Sequence, residues 1–424
     1  MEEIIDILPD NTEPEENHII KVIGVGGAGG NAVKHMCEIG VEGVNFIVAN
    51  TDLQALKNNP ANQKIQLGKK LTEGLGAGSK PERGKEAALE NIDEIREALE
   101  GAKMVFITAG MGGGTGTGAS PVIAQTAKEM GILTIGVVSI PYEDEGGPKI
   151  IESIRGVQEL SKCVDSIIVI NSNRLTDLYG DLPLSKALAN ADDVLARATK
   201  GLAQIITVYG KQNIDFADVR TAMENSGVAI IGTVEVGGDN RWQKAIEECL
   251  NSPLNNNNDI RGAKYVLLNI YCSHENEITQ SEHAKMLHEL RKLRDNDEFL
   301  KWGFGYDDTL EDKLRVTVVA TGFAQDPFDI IKKPKKVMKA VIVDGELRFV
   351  DPDDEAPIEV ELETPKDIKD RIYGKKDENK PQTVDYKNAK LGDPIIETRE
   401  KLANEEVIAR IENIPAIERR MANN

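Results

Sequence analysis

Residues 110–120 read GMGGGTGTGAS, and six of the first nine are glycine. They follow MVFITA (104–109), an apolar run of strand character, so bare backbone is presented where a strand ends. Repeated glycines let successive N–H groups point inward as a nest, and the hydroxyls of Thr115 and Thr117 add donors. The pattern predicts a helix over 117–130 whose positive end faces the same place. A polyphosphate fits such a loop, because side chains would hold its oxygens away from the amides. A second glycine run, IIKVIGVGGAGGNAV, carries Gly24, Gly26 and Gly29 as GxGxxG between a strand and a helix predicted to begin near Asn31. Two readings of that run stand side by side. Asp52 follows at the spacing of a ribose contact in a dinucleotide fold, whereas glycines that only permit close strand-to-helix packing need no ligand. Two amide-lined loops suit a longer anion than one Rossmann-type pyrophosphate site accepts. No GxxxxGK[ST] occurs and no lysine sits inside the glycine run, so a cation such as Mg²⁺ must neutralise the phosphates.

A third segment, NIDFADVR (213–220), places Asp215 and Asp218 three residues apart at the start of a predicted helix. That spacing puts both carboxylates on one face, where they can orient a water or a metal. The same spacing describes an N-cap and its third helical position. Spacing alone leaves both readings open.

The elements that must carry these loops alternate between short Val/Ile runs (IIKVIGV, NFIVAN, MVFITA, LTIGVVSI, SIIVI) and helical patterns. Uninterrupted apolar strands between amphipathic helices imply a parallel sheet covered on both faces, a Rossmann-like doubly wound α/β domain. A long helix is predicted over 182–210 and spans to a smaller mixed α/β domain, in which helices are expected over 241–250 and 282–294. From about residue 325 the chain is dense in Lys, Asp, Glu and Pro, which predicts a disordered linker, with a short hairpin allowed by the alternation of 337–350. The last stretch regains apolar spacing and reads as a docking peptide.

Composition excludes several classes. The 424 residues carry 51 Lys and Arg against 71 Asp and Glu, a net charge of −20, which argues against a general nucleic-acid or anionic-membrane binder. Cys37, Cys163, Cys249 and Cys272 show no CxxC spacing, as expected of reduced thiols that fill space in a cytosol. The acidic start, MEEIIDILPD, has no signal-peptide character, and no window is apolar enough for a membrane span; a cytoplasmic chain is expected.

GGGTGTG resembles the signature loop of the tubulin and FtsZ superfamily. IKVIGVGGAGGNAV, VANTD (48–52), GLGAGSKP (74–81), NIDFADVR and LRVTVVATG (314–322) are similar to bacterial FtsZ, collinearly over about 19–323. IPAIERR, from Ile414 to Arg420, is similar to that family's C-terminal docking peptide.

The resemblance implies a GTPase that assembles head to tail into protofilaments and forms the bacterial division ring. GTP or GDP, with Mg²⁺, would meet Gly26, Gly27 and Asn31, with Asn50 and Asp52 on a second loop. Gly76, Ala77, Gly78, Gly112, Gly113, Gly114, Thr115 and Gly116 would hold phosphate. Glu145 falls at the ribose-binding position and Asp193 where an aspartate reads the guanine N1 and N2 hydrogens. Lys149 stands where many members have arginine, and it cannot form a bidentate fork. INSNRL leaves open which of Asn171, Ser172 and Asn173 faces the base. Asn213, Asp215 and Asp218 would complete the site of the adjoining subunit, since their loop is expected at the end opposite the strand C-termini.

The implied layout is an extension over 1–18, a GTP-binding domain over 19–181, a central helix with catalytic loop over 182–226, an activation domain over 227–324, a linker over 325–404 and the docking peptide over 405–424. The peptide would bind membrane-tethering and regulatory division proteins at mid-cell beneath the inner membrane, with no direct insertion. An NAD-dependent oxidoreductase is the alternative; it accounts for Gly24 to Gly29 and leaves the other two segments without a purpose.

Overall fold

The computed structural model describes residues 19–41, 43–173, 183–208, 210–250, 262–292, 299–323, 339–343, 346–350 and 369, with the backbone alone for 184–192, 292, 339–343 and 346–350. The extension over 1–18, most of the linker and the docking peptide from Ile414 to Arg420 lie outside the described residues.

The five Val/Ile-rich segments and a short polar one, QKIQ, form parallel strands: β1 Ile20–Val25, β2 Asn45–Asn50, β3 Gln63–Gln66, β4 Met104–Gly110, β5 Leu133–Ile140 and β6 Ser166–Asn171. Every residue of β1 and of β6 is buried, which explains why these runs do not alternate with polar residues. β7 Gly227–Val236, β8 Tyr265–Cys272, β9 Phe299–Tyr306 and β10 Leu314–Thr321 continue the same sheet, in the order β3-β2-β1-β4-β5-β6-β7-β10-β8-β9. The first six strands meet the rest through only two register pairs, Ser166 with Gly227 and Ile167 with Val228. β10 runs antiparallel to β7 and β8. A short hairpin, β11 Lys339–Val343 with β12 Glu346–Val350, forms as the alternation allowed.

The helices are α1 Gly26–Glu38, α2 Leu53–Lys57, α3 Lys69–Thr72, α4 Pro81–Glu90, α5 Ile92–Leu99, α6 Thr115–Glu129, α7 Gly147–Cys163, α8 Leu184–Thr207, α9 Phe216–Met223, α10 Arg241–Leu250 and α11 Gln280–Lys292. Ala32, Val33 and Met36 of α1, Leu202 of α8 and Met223 of α9 cover one face of the parallel strands. Residues of α4 to α7, such as Ala87, Ile95, Ile123 and Ile154, cover the other. A separate core joins α10 and α11 to β7, β8 and β10 through Ile246, Met286, Leu268 and Val318.

Three helix starts differ from expectation, each for a physical reason. α1 begins at Gly26 rather than near Asn31. A Cβ on Gly24 would lie 2.3 Å from the Gly29 carbonyl oxygen, and one on Gly29 would lie 2.2 Å from that of Thr108. Packing this close requires glycine inside the helix and overrides glycine's poor helical propensity. α6 begins at Thr115, two residues early, so that Gly116 can sit against the Gly110 carbonyl. α11 starts at Gln280 because Thr279 and Glu282 form a reciprocal capping box: the Thr279 amide donates to Glu282 Oε2 at 2.9 Å and the Glu282 amide to Thr279 Oγ1 at 3.2 Å. The long helix covers 184–207 of the expected 182–210.

A candidate nucleotide cleft and an acidic pole

Strand register brings the predicted loops to one line. Val25 pairs with Ala109, Gly110 with Ser139, and Ile140 with Asn171, so β1, β4, β5 and β6 all end at the same edge. There the chain leaves a cleft of about 340 Å³, whose walls include Gly27, Gly113, Gly114, Thr115, Gly116, Glu145 and Lys149. The crevice at the carboxyl ends of parallel strands is where open α/β sheets bind ligands.

The glycines of the two loops divide into two kinds. On Gly26 a Cβ would lie 2.9 Å from the Gly116 amide nitrogen, on Gly112 2.7 Å from the Lys149 carbonyl, on Gly114 2.8 Å from Ala77 Cβ, and on Gly116 2.5 Å from the Gly110 carbonyl. Those four are glycine because the protein itself stands in the way. On Gly27 and Gly113 a Cβ would meet nothing within 4 Å, and both line the cleft. The expectation that the run is bare to admit an anion is thereby narrowed: Gly26 and Gly116 are bare to let the two loops touch, Gly112 and Gly114 to let α7 and the loop carrying Ala77 approach, and Gly27 and Gly113 are bare toward open space.

Side chains tie the rim together. Thr115 Oγ1 lies 2.7 Å from Thr51 Oγ1, linking the glycine loop to the loop after β2. The Gly76 amide donates to the Thr51 carbonyl at 3.2 Å, and Ala77 packs under Gly114, so residues 76–78 adjoin the cleft without being among its walls. Asn50 Oδ1 accepts from the Asp52 amide at 3.2 Å. Asp52 Oδ1 caps α2, accepting from the amides of Gln54 at 2.8 Å and Ala55 at 3.2 Å. That cap is the local use of the acid that the dinucleotide reading assigns to a ribose.

Glu145 Oε1 accepts from the Tyr142 amide at 2.9 Å, and its other oxygen pairs with Lys149. Of the three residues left open after β6, Ser172 lines the cleft. Asn171 is buried with its Oδ1 on the Asn173 amide at 3.0 Å, while Asn173 Oδ1 accepts from the Glu143 amide at 2.8 Å. Asp193 is not among the cleft walls. Its Oδ1 meets His35 Nε2 at 2.8 Å and its Oδ2 pairs with Arg197. His35 lies one turn beyond Asn31 on α1, so Asn31 and Asp193 reach the same side of the site. Neither the His35 contact nor the Thr51 link was anticipated; the i, i+4 spacing of Asn31 and His35 is the one signal that could have suggested the first.

Asn213, Asp215 and Asp218 are not brought to this cleft. α8 ends with Thr207 against Gly43, just before β2. Beyond the acids, Arg220 Nη2 donates to the Gly131 carbonyl at 3.3 Å, just before β5. Both neighbours sit at the amino ends of strands, and the eight residues of β5 separate the two poles by roughly 25 Å. Asp215 is the N-cap of α9, its Oδ1 accepting from the Asp218 amide at 2.7 Å. The capping reading is correct, and it leaves the second Asp215 oxygen and the Asp218 carboxylate to other uses.

A sheet with ligand loops at its carboxyl edge, a long helix beside it and an extension of that sheet with helices and a core of its own define a nucleotide-binding protein of the tubulin type. Residues 19–180 match the Tubulin/FtsZ family GTPase domain, and residues 227–324 match the FtsZ family C-terminal domain. The cell division protein FtsZ of Porphyromonas gingivalis is 41% identical over 405 residues, 95% of this chain and 85% of that protein. That of Pseudomonas aeruginosa is 46% identical over 321 residues, 76% of this chain and 80% of its own length. Among solved structures, an empty FtsZ dimer from M. jannaschii superposes with a TM-score of 0.67 at 40% identity, covering 72% of this chain and 88% of that one. CetZ1 from Haloferax volcanii shares the fold, with a TM-score of 0.64 at 21% identity over 73% of this chain and 95% of that one. The chain belongs to the FtsZ family of GTPases. These matches lend the oxidoreductase alternative no support.

Proposed function

We propose that this GTPase of the division cytoskeleton completes its hydrolytic site only between two copies. GTP sits in the cleft at the carboxyl edge of the sheet. The amides of Gly27 and Gly113, the Thr115 hydroxyl and the neighbouring loops from Gly26, Gly76, Ala77, Gly78, Gly112, Gly114 and Gly116 receive its phosphates. Glu145 and Lys149 take the ribose side, and Asn31 and Asp193 the base, with Ser172 of the cleft wall rather than Asn171 facing it from the end of β6 and with Asn50 and Asp52 shaping the second loop. A carboxylate offers two acceptors to the N1 and N2 hydrogens of guanine, which adenine cannot match.

Mg²⁺ travels on the phosphates. Among the described residues no cluster of three or more His, Cys, Asp or Glu is placed to hold a metal, so phosphate oxygens and water would supply most of its ligands. The ion's chemistry would be to neutralise the charge that builds on the transferred phosphoryl group.

The observation that carries the proposal is the separation of the two poles. Asp215, Asp218 and Asn213 cannot reach their own cleft, and they can reach that of a copy stacked on the opposite end. A head-to-tail contact that does not close generates a filament. Hydrolysis then follows assembly, and the loss of the γ-phosphate weakens the contact that made it. The chain is proposed to act in the cytoplasm at the mid-cell ring beneath the inner membrane. The segment from Ile414 to Arg420 would dock on membrane-tethering and regulatory partners. No helix among the described residues is long and apolar enough to cross a membrane. We further propose the domain layout 19–181, 182–226 and 227–324, followed by a linker over 325–404 and the peptide over 405–424.

The test is GTP hydrolysis per subunit across a protein dilution series. The rate should fall on dilution below the assembly threshold, and Asp218→Ala should lose about 100-fold or more at full assembly. A constant rate per subunit through dilution, or an unaffected variant, would refute the shared site.

A further inference from the structure

The two acids at the assembly pole are held by different means. Asp215 has its carboxylate fixed by the backbone, as the cap of α9. Asp218 lies in the first turn of that helix, where its own amide is the one that the Asp215 carboxylate caps. A side chain from another part of the chain holds its carboxylate: Lys301 Nζ lies 3.0 Å from Asp218 Oδ1.

Lys301 comes from β9, an edge strand that is itself locked to the acidic loop. The Gln212 amide donates to the Phe304 carbonyl at 3.0 Å, and the Phe304 amide returns a bond to the Gln212 carbonyl at 2.8 Å. Between them Gly303 leaves no room for a side chain, since a Cβ there would lie 2.8 Å from Asn269 Oδ1 and 3.3 Å from the Gln212 carbonyl. The Gly210 amide closes the loop on Asn213 Oδ1 at 2.6 Å. The strand, the loop and the start of α9 thus form one braced piece, and the ammonium also lies 5.6 Å from the centre of the Phe299 ring.

We propose that Lys301 is a positioning residue for GTP hydrolysis: it holds Asp218 in the orientation that meets the neighbouring copy's γ-phosphate, and it sets a cation beside two acids where that polyanion must dock. The inference deepens the shared-site reading and rests on it. As a stabilising contact the pair is worth little, because Lys301 is 47% exposed and exposed ion pairs contribute marginally to folding. Its value lies in place and charge. Copies of a chain with a net charge of −20 repel one another, and a polyphosphate facing two carboxylates adds to that repulsion. A lysine at 3.0 Å from one of those carboxylates lowers the local cost of bringing the poles together.

The test compares Lys301→Met and Lys301→Arg with the wild type in the full-length protein. Hydrolysis is measured with GTP and Mg²⁺ at protein concentrations where sedimentation shows complete assembly. Lys301→Met should melt as the wild type does and reach complete assembly at higher protein concentration. Once assembled, it should turn over about tenfold more slowly, with an unchanged KM for GTP. Lys301→Arg should restore most of the rate, and adding Lys301→Met to Asp218→Asn should cost nothing further. Wild-type turnover in assembled Lys301→Met, an additive loss on top of Asp218→Asn, or a loss that arginine does not rescue would overturn the proposal. If instead Asp218→Ala is active or the rate is independent of dilution, the shared site itself fails, whatever Lys301 does.

Discussion

Adding a single methyl group at Gly113 separates the two kinds of glycine in the phosphate loop. Gly113 lines the cleft, its φ lies outside the left-handed region, and an added Cβ would meet no protein atom within 4 Å. Gly113→Ala should therefore leave the fold intact, or raise its stability slightly by restricting the unfolded chain. The methyl would stand where a phosphate oxygen approaches the amides. Losing one amide-to-phosphate hydrogen bond costs roughly 1.5–3 kcal/mol, or about 10- to 150-fold in Kd for GTP. Gly112→Ala is the internal control. Its φ is +91° and its Cβ would lie 2.7 Å from the Lys149 carbonyl, so it should lower the urea midpoint whether or not nucleotide is present. Equilibrium binding of a fluorescent GTP analogue and urea unfolding, run on both variants, give the two readouts. If Gly113→Ala binds within twofold of the wild type, or unfolds as readily as Gly112→Ala, the assignment of the Gly113 amide to the phosphates is wrong.

Asp193→Asn turns one acceptor oxygen into a donor while keeping the side chain's size, so the preference for GTP over ITP, which lacks the 2-amino group, should shrink by about tenfold or more. Competition binding checks it, and an unchanged ratio would remove Asp193 from base reading. His283 packs 4.3 Å from Trp302 with its Nε2 buried and unpartnered, and burial holds its pKa below the usual value of 6.5. A depressed imidazole pKa means that the unfolded chain takes up a proton before the folded one does, so stability falls as pH drops below about 6.5 and levels off under the folded pKa. His283→Phe should flatten that part of the curve, read as urea midpoints between pH 7 and 5; an unchanged slope would count against it.

The elements that carry the candidate site were legible in the sequence because they depend on local composition. Glycine runs after apolar strands announce exposed amides, Asp215 with Asp218 announces a helix start, and uninterrupted Val/Ile runs announce strands buried on both faces. Helix starts were less legible where packing outweighs propensity: Gly24 against Gly29 draws α1 back to Gly26, which no window of residues reveals. The capping box of Thr279 and Glu282, which the expected start at 282 passed over, sets the start of α11.

Only the tertiary structure decided which glycines are bare for the protein's sake and which face open space, since that depends on atoms from elsewhere in the chain, Lys149 for Gly112 and Ala77 for Gly114. It alone seated His35 on Asp193 and Lys301 on Asp218, partners 158 and 83 positions apart with no motif to join them. The parallel sheet supplied the reason for the rest. Strand direction sends every βα loop to one edge and the acid-bearing turn to the other, so residue types written along one chain become two poles that a single copy cannot bring together.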